Sequence, residues 1–293
     1  MNALQVYIDK AATLIEALPY IQNFRGKIAV VKYGGSTMVG ESREDAVLKD
    51  IVFMASVGIC PVIVHGGGPA INRRLQEQGV ETQRINGLRV TDSETMKVVE
   101  DVLFGEINAE MVRDIEGLGG RAIGISAKDA GILHVRKHLV KTADGDVDIG
   151  FVGDVERVDT APLLDLVREG AIPVIAPIGC GPDGQSYNVN ADTAAGGIAA
   201  ALHAEKLVFL TDVTGILRNA KDPTTLLSTV RVGDVETLIG DGVVSGGMIP
   251  KIEACVKAVK SGVRKTHVID GRIPHSMLLE IFTREGIGTE IVQ

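Results

Sequence analysis

The sequence predicts an α/β protein whose central sheet is mostly parallel. From Lys27 onward, short apolar runs typical of buried strands alternate with longer stretches of helical periodicity. Two of the apolar runs end directly in glycine-rich loops, as strands do at the ligand-binding edge of an open α/β sheet. The chain has 293 residues, of which 45% are hydrophobic and 35 are glycine. This length is sufficient for one large domain or two of medium size.

The first predicted element is a helix that precedes the sheet. Apolar residues recur at helical spacing over residues 3–18, and Pro19 is predicted to end the helix. A helix in this position has no obvious place in a βα unit. It is interpreted either as a packing helix on its own domain or as an arm that contacts another subunit.

Two βα units follow the first helix. Residues 28–33 and 60–65 are predicted strands, and residues 43–57 and 69–79 are the helices that follow them. A right-handed crossover makes the two strands parallel, so their carboxyl ends lie at the same edge of the sheet. Both glycine loops are therefore expected at the edge where such sheets bind ligands.

The two glycine loops have the chemistry of an anion site. In the first, Lys32 precedes Gly34 and Gly35, whose missing Cβ atoms let backbone N–H groups approach a phosphate closely. In the second, His65 precedes the glycines at 66–68, and the next helix begins with its N–H groups open to a negative group. An ordinary βα turn is the alternative for each loop. A catalytic His65 is the alternative to a hydrogen-bonded structural residue, which is the usual role of a histidine at the end of a buried strand, and no chemical role is assigned to it.

A candidate carboxylate-binding arginine comes next. Arg89 follows Gly87 just before a helix that is predicted to open at Thr91 or Asp92. An arginine held there can bind a carboxylate through two parallel N–H bonds, and a solvated surface arginine is the alternative.

The rest of the chain continues the alternation, with one interruption. Residues 132–158 are predicted to form a hairpin that turns at Asp144-Gly145. Because it interrupts the βα rhythm, it is interpreted as a lid or a wall over the substrate crevice. Further helices are predicted at 93–118, 161–169, about 191–203, from Ser245 and after His275, and further strands at 121–126, 172–176, 206–211, 265–269 and after Gly286-Ile287-Gly288-Thr289.

One segment matches a dinucleotide-binding pattern and is discounted. Gly179 to Gly184 reads G-x-G-x-x-G, but Pro182-Asp183-Gly184 is turn chemistry and polar residues follow it instead of a helix. A dinucleotide oxidoreductase is therefore not favoured. No zinc spacing or Walker motif is present, and no metal ligands are predicted.

Composition limits the partners and the location. The net charge of −8 argues against nucleic-acid and acidic-membrane partners, although a local basic pocket could still hold a small anion. Cys60, Cys180 and Cys255 are expected to be free thiols, which suits a reducing compartment. No apolar run reaches the ~20 residues of a membrane span, and the amino terminus does not read as a signal peptide. A cytoplasmic location is predicted.

Six segments together resemble the amino-acid kinase family, and within it the acetylglutamate kinases. They occur in the family's order and are Lys32-Tyr33-Gly34-Gly35, His65-Gly66-Gly67-Gly68-Pro69, Asn86-Gly87-Leu88-Arg89-Val90-Thr91, Asn188-Val189-Asn190-Ala191-Asp192, Thr211-Asp212-Val213-Thr214-Gly215 and Gly247-Met248-Ile249-Pro250-Lys251. The resemblance implies a three-layer αβα sandwich with two lobes. The implied division is an N-terminal helical extension at 1–24, an acetylglutamate-binding lobe at 25–187 and an ATP-binding lobe at 188–293.

The resemblance also implies a reaction and a role for each site residue. ATP, bound with Mg²⁺, would phosphorylate the γ-carboxylate of N-acetyl-L-glutamate, a step of arginine biosynthesis. Lys32 and Lys251 would neutralise charge on the transferring phosphoryl group, and Asp192 would hold both lysines; the alternative for Asp192 is an acid favoured by the helix dipole. The other implied contacts are Gly67, Gly68, Arg89 and Asn188 with acetylglutamate, and Gly34, Gly35, Asp212 and Gly215 with the nucleotide and its phosphates.

Regulation and assembly are implied by the N-terminal helix. Such an extension resembles the hexameric members of the family, built as trimers of dimers and inhibited by L-arginine. Arginine would then bind near this helix and the segment that includes Glu285 and Gly288. A PII-type signalling protein binds some relatives, and the sequence does not distinguish those members from the others.

Two alternative functions stay open at this level. A sister kinase of the same fold could act on aspartate, glutamate or UMP. A non-catalytic protein that binds arginine or acetylglutamate would keep the pockets but tolerate loss of Lys32 or Lys251, and both lysines are present.

Overall fold

The computed structural model describes residues 3–34, 41–142, 145–283 and 286–293. An eight-stranded sheet carries helices on both faces, and a four-stranded barrel lies beside it. The strands are β1 (Ile28–Tyr33), β2 (Cys60–His65), β3 (Arg84–Ile85), β4 (Leu88–Arg89), β5 (Ala122–Ser126), β6 (Leu133–Thr142), β7 (Gly145–Val158), β8 (Ile172–Ala176), β9 (Ile178–Cys180), β10 (Ser186–Val189), β11 (Lys206–Thr211), β12 (Thr229–Arg231), β13 (Lys265–Asp270) and β14 (Thr289–Val292).

The helices connect these strands and cover the sheet. They are α1 (Ala3–Phe24), α2 (Glu41–Ser56), α3 (Gly68–Glu77), α4 (Ser93–Glu100), α5 (Ala109–Gly117), α6 (Ala161–Arg168), α7 (Ala191–Ala201), α8 (Val235–Gly240), α9 (Met248–Lys260) and α10 (Ser276–Ile281), with a π-helical segment at Asp101–Asn108 between α4 and α5. Within the described ranges, no helix is long and apolar enough to cross a membrane.

The large sheet has the order β12-β14-β13-β11-β1-β2-β8-β5. Every neighbouring pair is parallel except β13 with β14. The prediction of a mostly parallel α/β sheet is therefore confirmed. β1 pairs with β11 on one side and β2 on the other, which puts Lys32 near the carboxyl end of a central strand.

Both faces of the sheet are buried, which explains why its strands read as unbroken apolar runs. Val30 packs in a core with residues of α7 and α9, whereas its neighbour Val31 packs in a separate core with residues of α2, α5 and α10. Successive side chains of a strand point to opposite faces, so the two cores lie on opposite sides of the sheet. The predicted three-layer αβα sandwich is confirmed.

The predicted hairpin is also present, although Asp144 of its turn lies outside the described residues. β6 and β7 pair antiparallel and close into a barrel with β9 and β10. The sequence did not predict β9 and β10, and the segment Gly179 to Gly184 forms the end of β9 and part of the turn into β10. Because that glycine segment joins two antiparallel strands, it is not a dinucleotide loop, in agreement with its rejection from the sequence.

Two helix predictions need correction. Pro19 does not end α1, which continues to Phe24 with the proline inside it. The turn after Pro19 packs on the body of the protein: the Tyr20 ring lies edge-on to Phe282 at 6.4 Å, and Lys206 Nζ lies 5.3 Å from the Phe24 ring centre. These contacts offset the hydrogen bond that proline removes from a helix. The single helix predicted over 93–118 is instead α4, the π-helical segment and α5.

Candidate active site

An aspartate that bridges two lysines lies at the centre of the candidate site. Lys32 Nζ lies 2.9 Å from Asp192 Oδ1, and Lys251 Nζ lies 2.8 Å from Asp192 Oδ2. Three separate elements supply these residues: β1, the first turn of α7 and the first turn of α9. Asn190 caps α7 by accepting the N–H groups of Asp192 and Thr193, which fixes the turn that carries the aspartate. We call this arrangement the lysine–aspartate bridge.

Burial makes the charges of the bridge interdependent. The side chains of Lys32, Asp192 and Lys251 are only 8%, 13% and 21% exposed. Burial lowers the pKa of Lys32; Asp192 offsets part of this effect, and the nearby charge of Lys251 adds to the lowering. Burial alone would raise the pKa of Asp192, but the two lysines outweigh it and hold that pKa below its ordinary value. Asp192 is therefore ionised and keeps two cations side by side.

The lowered pKa of Lys32 predicts an alkaline limit to activity. In the role that the resemblance implies for Lys32, only the protonated side chain would neutralise charge on a phosphoryl group, so kcat/KM should fall as pH rises through that pKa, beginning below the ordinary lysine value of 10.5. Arginine stays charged in this range. We therefore expect Lys32→Arg to move the limb of the kcat/KM profile to higher pH, even if its maximal rate is lower. If kcat/KM decreased at the same alkaline pH in both enzymes, the decrease would be caused by the titration of another group.

Two cavities meet at the bridge. Lys32 and Asp192 line a cavity of about 220 Å³, which we call the Arg89 cavity because that residue forms part of its wall. Lys251 lines a cavity of about 630 Å³, called here the Asp212 cavity. The bridge therefore lies between the smaller Arg89 cavity and the larger Asp212 cavity.

The second glycine loop forms the wall of the Arg89 cavity next to Lys32. Gly67 and Gly68 line the cavity, and Gly67 begins α3 in the position of its N-cap. A Cβ on Gly34 would lie 2.8 Å from the backbone nitrogen of Gly66, so the ends of β1 and β2 approach too closely for a side chain there. Gly35 lies outside the described residues. The prediction that both glycine loops meet at one edge of the sheet is confirmed for the described part of the first loop.

Arg89 presents an unpaired, buried donor at the Arg89 cavity. The side chain is held by hydrogen bonds from Nη2 to Asn72 Oδ1 at 2.6 Å and to Gly68 O at 3.3 Å. Nη1 is buried and has no hydrogen-bond partner among the described residues. Burial, and then the charge of Arg84, lowers the pKa of Arg89 to about 10, so it remains a cation at neutral pH. A buried donor without a partner requires an explanation, and an anionic ligand in the cavity supplies one.

Asn188 faces Arg89 across a short polar chain. Its Nδ2 donates to Thr91 Oγ1 at 3.4 Å, and Thr91 Oγ1 donates to the carbonyl oxygen of Arg89 at 2.9 Å. Asn188 lines the same cavity, as does Val152 of β7. Because its amide nitrogen is engaged by Thr91, the Oδ1 of Asn188 is the atom suited to accept a hydrogen bond from a ligand.

The Asp212 cavity contains the other predicted nucleotide residues. Asp212 and Gly215 both line it, in the loop that follows β11. Gly215 has φ +136°, and a Cβ there would lie 2.6 Å from Thr289 Oγ1, so the loop requires glycine at this position. The structure thus brings Lys32, Lys251 and Asp192 together. Six other predicted site residues line the two adjoining cavities, namely Gly67, Gly68, Arg89, Asn188, Asp212 and Gly215, whereas Gly34 is in the lining of neither.

The predicted regulatory residues lie elsewhere. Glu285 is outside the described residues. A Cβ on Gly288 would lie 2.3 Å from the carbonyl oxygen of Val268, so this glycine allows the chain to pack against β13. That contact is a structural reason for glycine at 288.

The sequence reasoning missed Arg84, although a local signal for it exists. Asn86 and Gly87 both have positive φ, and they connect β3 to β4 in a tight hairpin that places Arg84 directly opposite Arg89. Asn-Gly between short strands is a strong hairpin signal. Arg84 lines the Arg89 cavity and therefore adds a second positive charge to it.

His65 has a structural role, as predicted. It is fully buried; its Nδ1 lies 2.9 Å from Gly66 O, and its Nε2 lies 3.1 Å from the Asn108 Nδ2 group, which also donates to Val174 O. A neutral ring that donates from Nδ1 and accepts at Nε2 satisfies both contacts. Burial lowers the pKa of His65 to about 4, so the ring stays neutral at physiological pH. Asn108 is the last residue of the π-helical segment, so its hydrogen bond to His65 connects that segment to the second glycine loop.

Comparison with known proteins identifies the family. Residues 27–270 match the model of the amino acid kinase family, which is more than four fifths of the chain. The chain belongs to the amino acid kinase family. The matched range includes Lys32, Asp192 and Lys251 and excludes α1.

Several curated relatives of this amino acid kinase are similar over nearly their whole length. An acetylglutamate kinase from Heliobacterium modesticaldum is 53% identical over 291 residues, which cover 98% of this chain and 99% of that protein. An acetylglutamate kinase from Moorella thermoacetica is 53% identical over 289 residues, with 97% and 98% covered.

Solved structures give the same fold. N-acetylglutamate synthase from Neisseria gonorrhoeae, complexed with coenzyme A and N-acetyl-glutamate, has a TM-score of 0.82 at 28% identity. It matches 97% of this amino acid kinase, which spans only 63% of the length of the synthase. Carbamate kinase from Giardia lamblia bound to AMP-PNP has a TM-score of 0.66 at 16% identity over 92% of this chain, a likeness of fold alone.

Proposed function

We propose that this amino acid kinase transfers the γ-phosphoryl group of ATP to the γ-carboxylate of N-acetyl-L-glutamate, a step of arginine biosynthesis. The observation that carries the proposal is the lysine–aspartate bridge, which joins a small cavity with a buried arginine to a larger cavity. The acetylglutamate kinases that are 53% identical to this chain support the choice of acceptor.

In this proposal the Arg89 cavity holds acetylglutamate. The unpaired Nη1 of Arg89 would bind the α-carboxylate through its N–H groups. Asn188 Oδ1 would accept the N–H of the acetamido group. The γ-carboxylate would then extend toward Lys32 and the backbone N–H groups near Gly67 and Gly68.

ATP would occupy the Asp212 cavity. Its base and ribose would lie near Asp212 and Gly215, and its γ-phosphoryl group would lie at the bridge, between Lys251 and Gly34. Among the described residues, no group of three His, Cys, Asp or Glu side chains could hold a metal ion. Both oxygens of Asp192 are engaged by lysines. These residues suit a Mg²⁺ ion carried by the phosphates of ATP, where it would add to the charge neutralisation.

The chemistry of the acceptor fits a site without a general base. A γ-carboxylate has an ordinary pKa of about 4.3 and is therefore already a nucleophile at neutral pH. The protein has to bring two anions into line and neutralise the charge that spreads over the phosphoryl oxygens. Lys32 and Lys251 are held next to each other for that purpose by Asp192. The neutral, fully hydrogen-bonded His65 takes no part.

A substrate comparison tests the proposal. Acyl phosphates react with hydroxylamine, so an ATP-dependent hydroxamate assay with acetylglutamate, glutamate and aspartate reports the acceptor directly. We expect acetylglutamate to be used with the highest kcat/KM. If the enzyme preferred an unacetylated amino acid, or UMP in a parallel assay of ADP release, it would be a sister kinase with that acceptor. ATP and acetylglutamate binding without turnover would favour the non-catalytic regulator.

We further propose that L-arginine inhibits the enzyme where α1 meets the C-terminal segment. Phe24 of α1 packs on Lys206, and the backbone N–H of Ile287 donates to the buried carboxylate of Glu280 at 3.0 Å. Glu280 also pairs with His267 at 2.7 Å. A buried carboxylate is a suitable partner for a guanidinium. The Neisseria gonorrhoeae synthase, which is 27% identical to this chain and has been solved complexed with coenzyme A and L-arginine, supports the proposal.

Arginine inhibition gives a direct prediction. Millimolar arginine should lower the rate of acetylglutamate phosphorylation several-fold. Glu280→Gln should remove most of that sensitivity while leaving the uninhibited kcat nearly unchanged, because Glu280 lines neither cavity at the bridge. If millimolar arginine did not change the rate at which the wild type phosphorylates acetylglutamate, the proposal of arginine inhibition would be wrong.

A hexamer built as a trimer of dimers is the proposed assembly. Leu4, Tyr7, Leu14 and Ile15 of α1 are between 60% and 68% exposed, an apolar surface that a neighbouring α1 could cover. β5 is an edge strand of the large sheet and carries the partly exposed Ile123, which supports a second contact. Light scattering that gives a mass of six chains would agree with the proposal, and a monomer or dimer would contradict it.

The division into parts and the location also belong to the proposal. Residues 1–24 would serve assembly and regulation, residues 25–187 would bind acetylglutamate and residues 188–293 would bind ATP. The sheet order supports a division between β1 and β11, while the 187/188 boundary itself falls within β10. A cytoplasmic location is supported by the free thiols of Cys60, Cys180 and Cys255.

A further inference from the structure

The Asp212 cavity lacks the side chains on which a nucleotide base usually stacks. The chain has no Trp, four Tyr and six Phe, and none of the described residues that line this cavity is aromatic. Its wall is made of small and aliphatic residues, Asp212, Lys251 and Arg272. A planar side chain of another kind is therefore the stacking partner that this wall can offer to a purine.

Arg272 is the planar group in that wall, and its orientation is fixed. Its Nε and Nη2 donate to the two carboxylate oxygens of Asp270 at 2.9 and 2.7 Å, and its backbone N–H donates to Asp270 at 2.9 Å. Asp270 is nearly buried, with 6% of its side chain exposed, whereas 43% of the Arg272 side chain is exposed. A buried anchor therefore holds an accessible guanidinium plane, so little side-chain freedom is lost when a ligand packs on it.

The position of the pair follows from the sheet. Asp270 ends β13 opposite Thr211, the last residue of β11, and the N–H of Gly271 donates to Thr211 O at 2.9 Å. Arg272 therefore lies beside the loop that begins with Asp212, at the carboxyl edge where these parallel strands end.

The charges around Arg272 favour a base over a phosphate. Asp270 neutralises the guanidinium through two hydrogen bonds, and its contact, followed by the more distant charge of Asp212, raises the pKa of Arg272. A triphosphate would meet these two acids as well as the cation. A guanidinium paired with a carboxylate keeps its flat face, and such faces stack on aromatic rings.

We propose that Arg272 is the platform on which the adenine of ATP stacks, with Asp270 as the residue that sets its plane. The inference rests on the proposed binding of ATP in the Asp212 cavity and adds the residue that recognises the base. Arg272 lines the cavity, and its salt bridge is with Asp270 and not with the lysine–aspartate bridge, so its loss should affect nucleotide affinity and spare the transfer step.

Three variants separate stacking from charge. Arg272→Ala should raise the KM for ATP about tenfold, with kcat and the KM for acetylglutamate nearly unchanged. Arg272→Lys should raise it by a similar factor, because lysine keeps the charge but has no plane. Arg264→Ala is the matched control, since Arg264 forms a comparable exposed pair with Glu205 at 2.8 Å and does not line the cavity.

Inorganic tripolyphosphate, which has no base, supplies the second measurement. Its inhibition constant against ATP should be the same in wild type and Arg272→Ala. Three results would each overturn the inference. The inhibition constant of tripolyphosphate could rise in Arg272→Ala together with the KM for ATP, Arg272→Lys could have the wild-type KM for ATP, or Arg272→Ala could leave that KM unchanged. If the wild type does not phosphorylate acetylglutamate, the proposed function fails by itself, and calorimetric ATP affinities of the same variants still decide the role of Arg272.

Discussion

Lys32→Ala is expected to lower kcat about a thousandfold while changing the KM for acetylglutamate only a few-fold. Lys32 is 8% exposed and is held at the bridge by Asp192, where charge develops during phosphoryl transfer. Removing one preorganised donor from such a position typically costs about 10² to 10³ in kcat. Steady-state kinetics with acetylglutamate and ATP varied separately measures the two effects.

Lys27→Ala is a matched control for this variant. Lys27 precedes the other end of β1 and pairs with Glu205 at 3.3 Å, with 35% of its side chain exposed. Its loss should leave kcat close to that of the wild type. If Lys32→Ala instead raised the KM for acetylglutamate with kcat retained, Lys32 would be a substrate-binding residue and not a group that acts in the transition state.

The second large effect is expected for Arg89→Ala, which should raise the KM for acetylglutamate about a hundredfold and leave the KM for ATP nearly unchanged. Arg89 offers a buried, unpaired N–H to the cavity, so its removal deletes a charge-assisted contact with the α-carboxylate. Arg89→Lys should recover only part of the affinity, because an ammonium group does not reproduce the guanidinium fork.

Arg74 offers a comparison for Arg89 on the neighbouring helix α3. It is 38% exposed and pairs with Glu77 and Glu106, and it does not line the cavity. Arg74→Ala should therefore leave both KM values unchanged. Equal effects of Arg89→Ala on the KM values for acetylglutamate and ATP would show that Arg89 supports the fold of both cavities and does not bind one substrate selectively.

The sequence predicts the strands of the large sheet well because their signal is local. β1, β2, β8 and β11 are buried on both faces, which produces short apolar runs bounded by turn residues. The same apolar runs predict where the glycine loops and Lys32 lie, because the carboxyl ends of parallel strands meet at one edge of the sheet. The bridge itself is different. Asp192 and Lys251 are 59 positions apart, and only the family resemblance brought them together.

Other features depend on contacts that the local sequence does not contain. α1 passes through Pro19 because Tyr20 and Phe24 pack on Phe282 and Lys206, residues that are distant in the chain. The partner of Arg89, Asn72, lies 17 positions away on α3, and nothing in either segment indicates the pair. Arg84 is different: the Asn86-Gly87 turn is a local signal that would have placed it opposite Arg89, but the sequence prediction did not use it.

A crystal structure with acetylglutamate and a non-hydrolysable ATP analogue tests the central claim most directly. Acetylglutamate should lie in the Arg89 cavity and the nucleotide in the Asp212 cavity, with the γ-carboxylate oxygen and the γ-phosphorus about 3–3.5 Å apart beside Lys32 and Lys251. The claim would be contradicted if acetylglutamate bound away from Arg89. It would also be contradicted if the two reacting groups lay on the same side of the lysine–aspartate bridge, out of reach of both lysines.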